Sequence, residues 1–328
     1  MKPETQKSTR HRIWRWLKYT LLAMFLLVLV FVLVVVPYGF SHLITHARTR
    51  PMDLRLTSTP ANYQIPYRDV TFYAPARDAD RAAIAEKPGA SDHWVRISAW
   101  YLPRDSARAL IVYAHGLFRS RREMLERAAF LWQHGYAGLL LDLRRHGSSG
   151  GKLSGMGYLE RLDIEAAVHF ARDSLKFHKP ILAFGVSMGA AATLLAAAET
   201  PDIRGIIVDS SFLSFKNTIA HHLKLFFGLP TFPLGDLVMF FTRHRLGFKY
   251  EDFDMQRAVA KIHQRPMLFI AGGHDRRMPV EVEMTLFKSA ASPVKFFVVI
   301  PEATHGAAFR TDREKYEQAL LQFLNRYF

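Results

Sequence analysis

The chain has 328 residues, 49% hydrophobic and 22% charged, with a formal net charge of +15 and no cysteine. This composition excludes a disordered chain, and the missing cysteine excludes a disulfide framework, a thiolate metal site and a cysteine nucleophile. The positive field favours anionic neighbours such as phospholipid headgroups, nucleic acid or acidic substrates, and leaves the fold open.

Residues 1–18 carry Lys2, Lys7, Arg10, Arg12, Arg15 and Lys18 against a single acid, Glu4. An uncharged run, LLAMFLLVLVFVLVVV, follows at 21–36. With Leu17, Tyr19 and Thr20 it extends to about twenty residues, enough for a helix to cross a bilayer at ~1.5 Å per residue. Trp14, Trp16 and Tyr19 flank one end and Tyr38 the other, as interfacial aromatics do. A core helix is seldom so uniformly apolar. A cleaved signal peptide has a shorter apolar core, ~7–15 residues, and Pro37-Tyr-Gly-Phe-Ser-His is a poor cleavage site. The pattern predicts a basic cytoplasmic tail over 1–18 and an uncleaved transmembrane anchor over 19–38. The remainder is expected to be exported, to the periplasmic side of the inner membrane if the source is bacterial.

Residues 39–68, with Pro51, Pro60 and Pro66, read as a juxtamembrane linker, and 69–328 as one catalytic-type domain. DVTFYA from Asp69 reads as a short strand, 76–92 as a polar Ala/Pro-rich loop, and HWVRISAWYL at 93–102 as a half-buried strand. Apolar strands and amphipathic helices then alternate. The strands are ALIVYA (109–114), YAGLLLDL (136–143), PILAFGV (180–186), IRGIIVDS (203–210), PMLFIAGG (266–273) and VKFFVVI (294–300). Helices are expected from Ser120, through a capping box with Glu123, to about His134, and then over 158–176, 188–199, about 279–290, and 313–328. Strands that are apolar throughout predict an α/β fold: a mostly parallel sheet of the eight-stranded type with helices on both faces. The alternation breaks at about 211–265, too long for a plain connection, so a helical cap insert is expected there.

In such a sheet, active sites gather at the carboxyl ends of the strands. Those ends deliver His115-Gly116, then Ser187 within Gly185-Val-Ser-Met-Gly189, then Asp209, Asp275 and His305. A serine hydroxyl becomes a nucleophile when an imidazole takes its proton, and that imidazole needs a carboxylate to fix its tautomer. Ser187, Asp275 and His305 supply the three parts in chain order. Asp209 also follows a strand and stands as the alternative acid. The N–H groups of Met188, opening a helix, and of Leu117, after His115-Gly116, are the expected oxyanion donors. Asp142 reads as structural, bonding turn amides near His146-Gly147.

The constellation resembles the α/β-hydrolase superfamily. The residues that carry the resemblance are His115-Gly116, LDLRRHGSSGG at 141–151, GVSMG at 185–189, AGGHDRRMP at 271–279 and EATHG at 302–306. It is most similar to the serine aminopeptidase-like and monoacylglycerol-lipase-like branch, and TPANYQIPYRDVTF at 59–72 looks like the entry to membrane-anchored bacterial members. The resemblance implies a serine hydrolase fold with Ser187 as nucleophile, Asp275 as acid, His305 as base, and Leu117 and Met188 as oxyanion donors. Two features depart from the pattern: a lengthened hairpin at 75–92, and HGLF in place of a His-Gly-Gly-Gly run.

Other signals are weaker. Gly147–Lys152 fails as a phosphate loop, and His221, His222, His244, His263 and His274 lack metal-ligand spacing, so neither metal nor cofactor is expected. Arg119, Arg121 and Arg122 read either as a solvated helix start or as an anion-attracting cluster. No basic-aromatic stripe points to nucleic acid. The Phe-rich insert reads either as an ordinary cap or as a lid that touches the membrane. The expected substrate is a carboxylic ester, with lipid or acylglycerol esters favoured by tethering and charge, and the expected partner surface is a lipid bilayer. A peptidase or amidase, or a non-catalytic binding member of the fold, are the alternatives.

Overall fold

Apolar runs that end in glycine or in a polar turn become strands buried on both faces. The computed structural model describes residues 4–78, 80 and 93–328. Most of the loop expected at 76–92 therefore lies outside the described residues. The strands among them are β1 (Arg68–Pro75), β2 (Trp94–Leu102), β3 (Leu110–Ala114), β4 (Ala137–Asp142), β5 (Ile181–Val186), β6 (Ile203–Asp209), β7 (Met267–Gly272) and β8 (Lys295–Ile300). They form one sheet in the order β1-β2-β4-β3-β5-β6-β7-β8. β1 and β4 flank β2 antiparallel, and all other neighbours are parallel. Every residue of β3, β4, β5 and β7 is buried. This explains why these segments show no polar alternation.

The helices are α1 (Glu4–Val30), α2 (Val36–Thr45), α3 (Pro51–Leu54), α4 (Leu125–Gln133), α5 (Glu160–Asp173), α6 (Met188–Glu199), α7 (Phe215–Phe227), α8 (Leu234–Leu246), α9 (Met255–Ala260), α10 (Val280–Ser289), α11 (Ala308–Thr311) and α12 (Arg313–Tyr327). Strand pleating divides the core between them. Leu110, Val112 and Ala114 of β3 face α5 and α6, whereas Ile111 and Tyr113 face α4 and α12. A π-helical turn at Phe31–Val35 joins α1 to α2. Among the described residues, one helical stretch, His11–Thr45, is long and apolar enough to cross a membrane.

Residues 39–68 differ from a free linker. α2 buries Pro37, Ser41, Ile44 and Thr45. Tyr38 meets Phe241 of α8 edge-on at 5.5 Å, Thr242 Oγ1 lies 3.0 Å from Ser41 Oγ, and Arg245 donates to Ser41 Oγ at 2.8 Å. The segment is ordered because its small polar side chains find partners on the domain. These pairs advance together along both helices, so α2 and α8 run parallel, and the start of α8 reaches the π-helical turn. α7, α8 and α9 form the insert between β6 and β7. Its Phe212, Phe215, Phe248 and Phe253 are buried, while Phe226, Phe227 and Phe240 are exposed and Phe232 is 77% exposed.

Arg144 and Asp163 form a fully buried ion pair. The Arg144 guanidinium donates to Asp163 Oδ1 at 2.9 and 2.7 Å, and the Arg144 N–H donates to Oδ2 at 2.8 Å. The same guanidinium caps the carbonyls of Pro75 and Ala76, tying the end of β1 to α5. Asp163→Ala strands the Arg144 charge inside the protein. The expected loss is about 3–5 kcal/mol in urea unfolding, against near wild-type behaviour for Asp173→Ala on the exposed end of the same helix.

Candidate active site

Ser187 occupies the junction of β5 and α6 with φ 54° and ψ −115°. Its N–H donates to the Asp209 carbonyl at 2.8 Å and its carbonyl accepts from Ala191 N at 3.1 Å, so the strained residue is held from both sides. The glycines around it are required by close approach. A Cβ on Gly185 would lie 2.1 Å from Gly189 O, and one on Gly189 would lie 2.2 Å from Ala114 O.

Ser187 Oγ lies 2.8 Å from His305 Nε2, and His305 Nδ1 lies 2.7 Å from Asp275 Oδ2. The Asp275 carboxylate is fully buried, and its second oxygen accepts the N–H groups of Arg277 and Met278 at 2.9 and 2.8 Å. With that carboxylate on Nδ1, the proton sits there and the Nε2 lone pair faces the serine. Such a group can remove the hydroxyl proton and later return it. Asp209, the alternative acid, is placed otherwise. Its carboxylate accepts Tyr316 OH at 2.8 Å and Ser210 Oγ at 2.9 Å, with Arg127 at 3.5 Å, among α4 and α12.

The turn after β3 is pinned atom by atom. Gly116 N donates to Glu123 Oε2 at 2.6 Å, Phe118 N to His146 Nε2 at 3.3 Å, and Arg119 N to Gly116 O at 3.2 Å. Arg50 N donates to Phe118 O at 2.9 Å. Among the described residues, no hydrogen bond uses the N–H of Leu117 or of Met188. Leu117 lines a small pocket with Ser187, His305 and Gly306. The arrangement leaves two backbone donors beside the serine, one from a rigid turn and one from a helix N-terminus.

Two buried histidines, His115 and His146, set that turn, a role the sequence alone did not reveal. His115 Nε2 accepts Leu143 N at 3.1 Å, and its Nδ1 donates to Gly116 O at 2.8 Å. His146 Nδ1 donates to Arg144 O at 2.9 Å. Both must be neutral to accept at Nε2. Burial, aided by neighbouring His146, lowers His115 to about 3, and burial likewise lowers His146.

Two expectations are corrected. Ser120 and Glu123 form no capping box: Ser120 Oγ is buried without a partner, and Glu123 is drawn to the donor at Gly116 instead. Arg121 is neither solvated nor free for an anion. It is buried against Asp142 at 2.9 Å, Ser98 Oγ at 2.6 Å and the Trp100 ring. Arg119 pairs with Asp53 and Glu123, and Arg122 donates to Ser58 O. Asp142 is structural: it accepts the amide of Arg121 and, in the turn around His146-Gly147, that of Ser148. Among the described residues, no group of His, Asp and Glu gathers to hold a metal ion.

A family model described as "Serine aminopeptidase, S33" matches residues 105–237. The uncharacterized protein YqkD of Bacillus subtilis is 28% identical over 225 residues, 68% of this chain and 73% of that protein. The uncharacterized protein YfhR of Escherichia coli is 26% identical over 269 residues, 79% of this chain and 85% of that one. Among solved structures, the Pyrococcus furiosus esterase Pf2001 superposes with a TM-score of 0.67 at 24% identity, covering 86% of this chain and 98% of that chain.

The neutral histidines generate an acid sensitivity. Unfolded, His115 titrates near 6.5; folded, it titrates at about 3. The unfolded chain therefore binds the extra proton between these values. Its stabilising contribution is complete above pH 6.5 and declines as pH falls toward 3, by at most about 1.4 kcal/mol per pH unit. Urea titrations at pH 7, 6 and 5 should show this slope, and His115→Gln should reduce it.

Proposed function

We propose that the chain, which has the α/β-hydrolase fold, cleaves carboxylic esters through an acyl-serine intermediate. The observation that carries this reading is the relay from Ser187 through His305 to Asp275 at 2.8 and 2.7 Å, set beside unused N–H groups. In the proposed mechanism His305 Nε2 takes the Ser187 proton as Oγ bonds to the ester carbonyl carbon. The N–H groups of Leu117 and Met188 receive the developing oxyanion. The intermediate collapses, the alkoxide leaves with the proton from His305, and acyl-Ser187 remains. Water, deprotonated by His305, repeats the sequence and frees the acid. Asp275 keeps the imidazole oriented and stabilises its charged form. An ester is favoured by the likeness in fold to the Pyrococcus furiosus esterase Pf2001.

Ser187→Ala should abolish labelling by a fluorophosphonate probe. His305→Ala and Asp275→Ala should lower kcat for a simple ester by about 10³-fold or more, while Asp209→Asn retains labelling. Equal labelling of wild type and Ser187→Ala would overturn the proposed nucleophile.

We further propose that the span anchors the protein in a bilayer, with the basic tail cytoplasmic and the domain extracytoplasmic. The parallel packing of α8 on α2 supports a cap whose tip touches the membrane. Its exposed Phe226, Phe227 and Phe232 end α7 or immediately precede α8, and α8 contacts the π-helical turn at Phe31–Val35. Because the chain has no cysteine, a single reporter site is simple to install. Phe232→Cys, labelled with an environment-sensitive fluorophore in full-length protein in liposomes, should emit blue-shifted and be quenched by lipid-borne nitroxides. Lys288→Cys should do neither, and equal solvent-like emission from both sites would refute membrane contact.

A further inference from the structure

The pocket beside Ser187 contains more positive charge than its carboxylates can balance. Arg50 and Arg277 both line it, with Leu117, Ser187 and His305. They come from distant parts of the chain. Arg50 arrives from the segment between α2 and α3, fixed by its own N–H on Phe118 O at 2.9 Å. The preceding Thr49 fixes it further, since its hydroxyl donates to Arg119 O and accepts Gly147 N, both at 2.7 Å. The Arg50 guanidinium lies over the Phe118 ring at 5.1 Å. Arg277 arrives two residues after Asp275, its N–H locked on Asp275 Oδ1 at 2.9 Å.

The nearby acids are already engaged. Asp275 holds His305 and two amides. Glu123 holds Gly116 N and faces Arg119, and Asp53 holds Arg119. Among the described residues, neither guanidinium of the Arg50 and Arg277 pair has a hydrogen bond or an ion pair. Their charges repel each other, and burial together with Arg50 disfavours the charged form of Arg277 against the pull of Asp275. His222 of the cap also faces Arg277; burial first, and then that cation, lower it to about 4, so near pH 7 it is neutral and neither adds to the positive charge nor offsets it. Rigidly presented, like-charged and unpaired arginines at a reaction centre are a recognition device for an anion, whose oxygens match the guanidinium fork.

We infer that the site takes esters bearing an anionic group, phosphate or carboxylate, close to the scissile carbonyl, and that Arg50 and Arg277 recognise that group. The inference rests on the serine-hydrolase reading above. It also bears on the choice between ester and peptide, because a substrate led by a free α-ammonium group would meet two cations. Arg50 belongs to the segment that leads out of the membrane-spanning helix, so recognition and tethering share one piece of chain. The anion can be a lipid headgroup phosphate or a soluble acid, and the two share the same chemistry at the arginines.

The test uses full-length protein in detergent with two matched substrate pairs. One pair is soluble, p-nitrophenyl butyrate against p-nitrophenyl monoglutarate; the other is lipidic, monoacylglycerol against lysophosphatidate. Wild type should prefer the anionic member of at least one pair, and the preferred pair identifies the source. Arg50→Ala and Arg277→Ala should each lower the anionic-to-neutral ratio of kcat/KM about tenfold, mainly through KM. Added salt should erode the wild-type preference, Arg277→Lys should restore part of it, and Arg276→Ala, outside the pocket, should retain it. A neutral preference in wild type, or equal losses on both members of each pair, would overturn the anion inference while leaving the hydrolase reading intact. Failure to hydrolyse any ester and to label with a fluorophosphonate would overturn both.

Discussion

Ser187 is held in a backbone conformation that a serine adopts only under compulsion, and much of the site is arranged around that strain. A residue in such a region costs on the order of 1–3 kcal/mol. Here β6 takes its N–H through Asp209 O, and α6 takes its carbonyl. α6 can press close enough because Gly189 and the following Ala190, Ala191 and Ala192 have little or no side chain to keep it away, and all are buried. The strain is what projects Oγ away from the sheet toward His305 instead of back along the helix.

A second constraint acts from behind the turn after β3. A hydroxyl-rich or charged support would bring desolvation costs, whereas neutral imidazoles donate and accept at once. His115 and His146 serve as two-sided wedges that tie the exit of β3 to the exit of β4. Arg121 with Asp142, and Arg144 with Asp163, then brace the same layer. Each of these charges is removed from water, so the network is tolerated only because nearly every polar atom in it is paired. Rigidity of the turn follows, and Leu117 N–H is the donor left over.

The cap and the segment after α2 are coupled to this frame. α2 packs on α8, and four residues beyond α2 the chain ties onto the turn after β3 through Thr49 and Arg50. A displacement of α2 would therefore be felt at the pocket through covalent chain and two hydrogen bonds.

Much of this was legible in the sequence because it is local. Uniformly apolar runs report burial on both faces, Gly185 and Gly189 report the backbone crossing, and strand ends gather on one edge whatever the loops do. That reasoning brought Ser187, Asp275 and His305 to a common edge and marked the Phe-rich insert. What lay beyond it was long-range pairing. The choice between Asp275 and Asp209 depends on which face of the sheet each carboxylate leaves from, and Tyr316 captures the second. Glu123 and Arg121 follow helix-start patterns locally, yet burial hands them to Gly116 and Asp142. The segment from Ser41 to Arg50 has the composition of a linker, and only its partners on α8 and the turn after β3 make it structure. By itself, the sequence determined the fold class and the chemistry within reach, because periodicity and backbone clearance are properties of neighbouring residues. The tertiary structure decided which acid meets the imidazole and which cations face the pocket, because desolvation forces buried polar groups to find partners far along the chain.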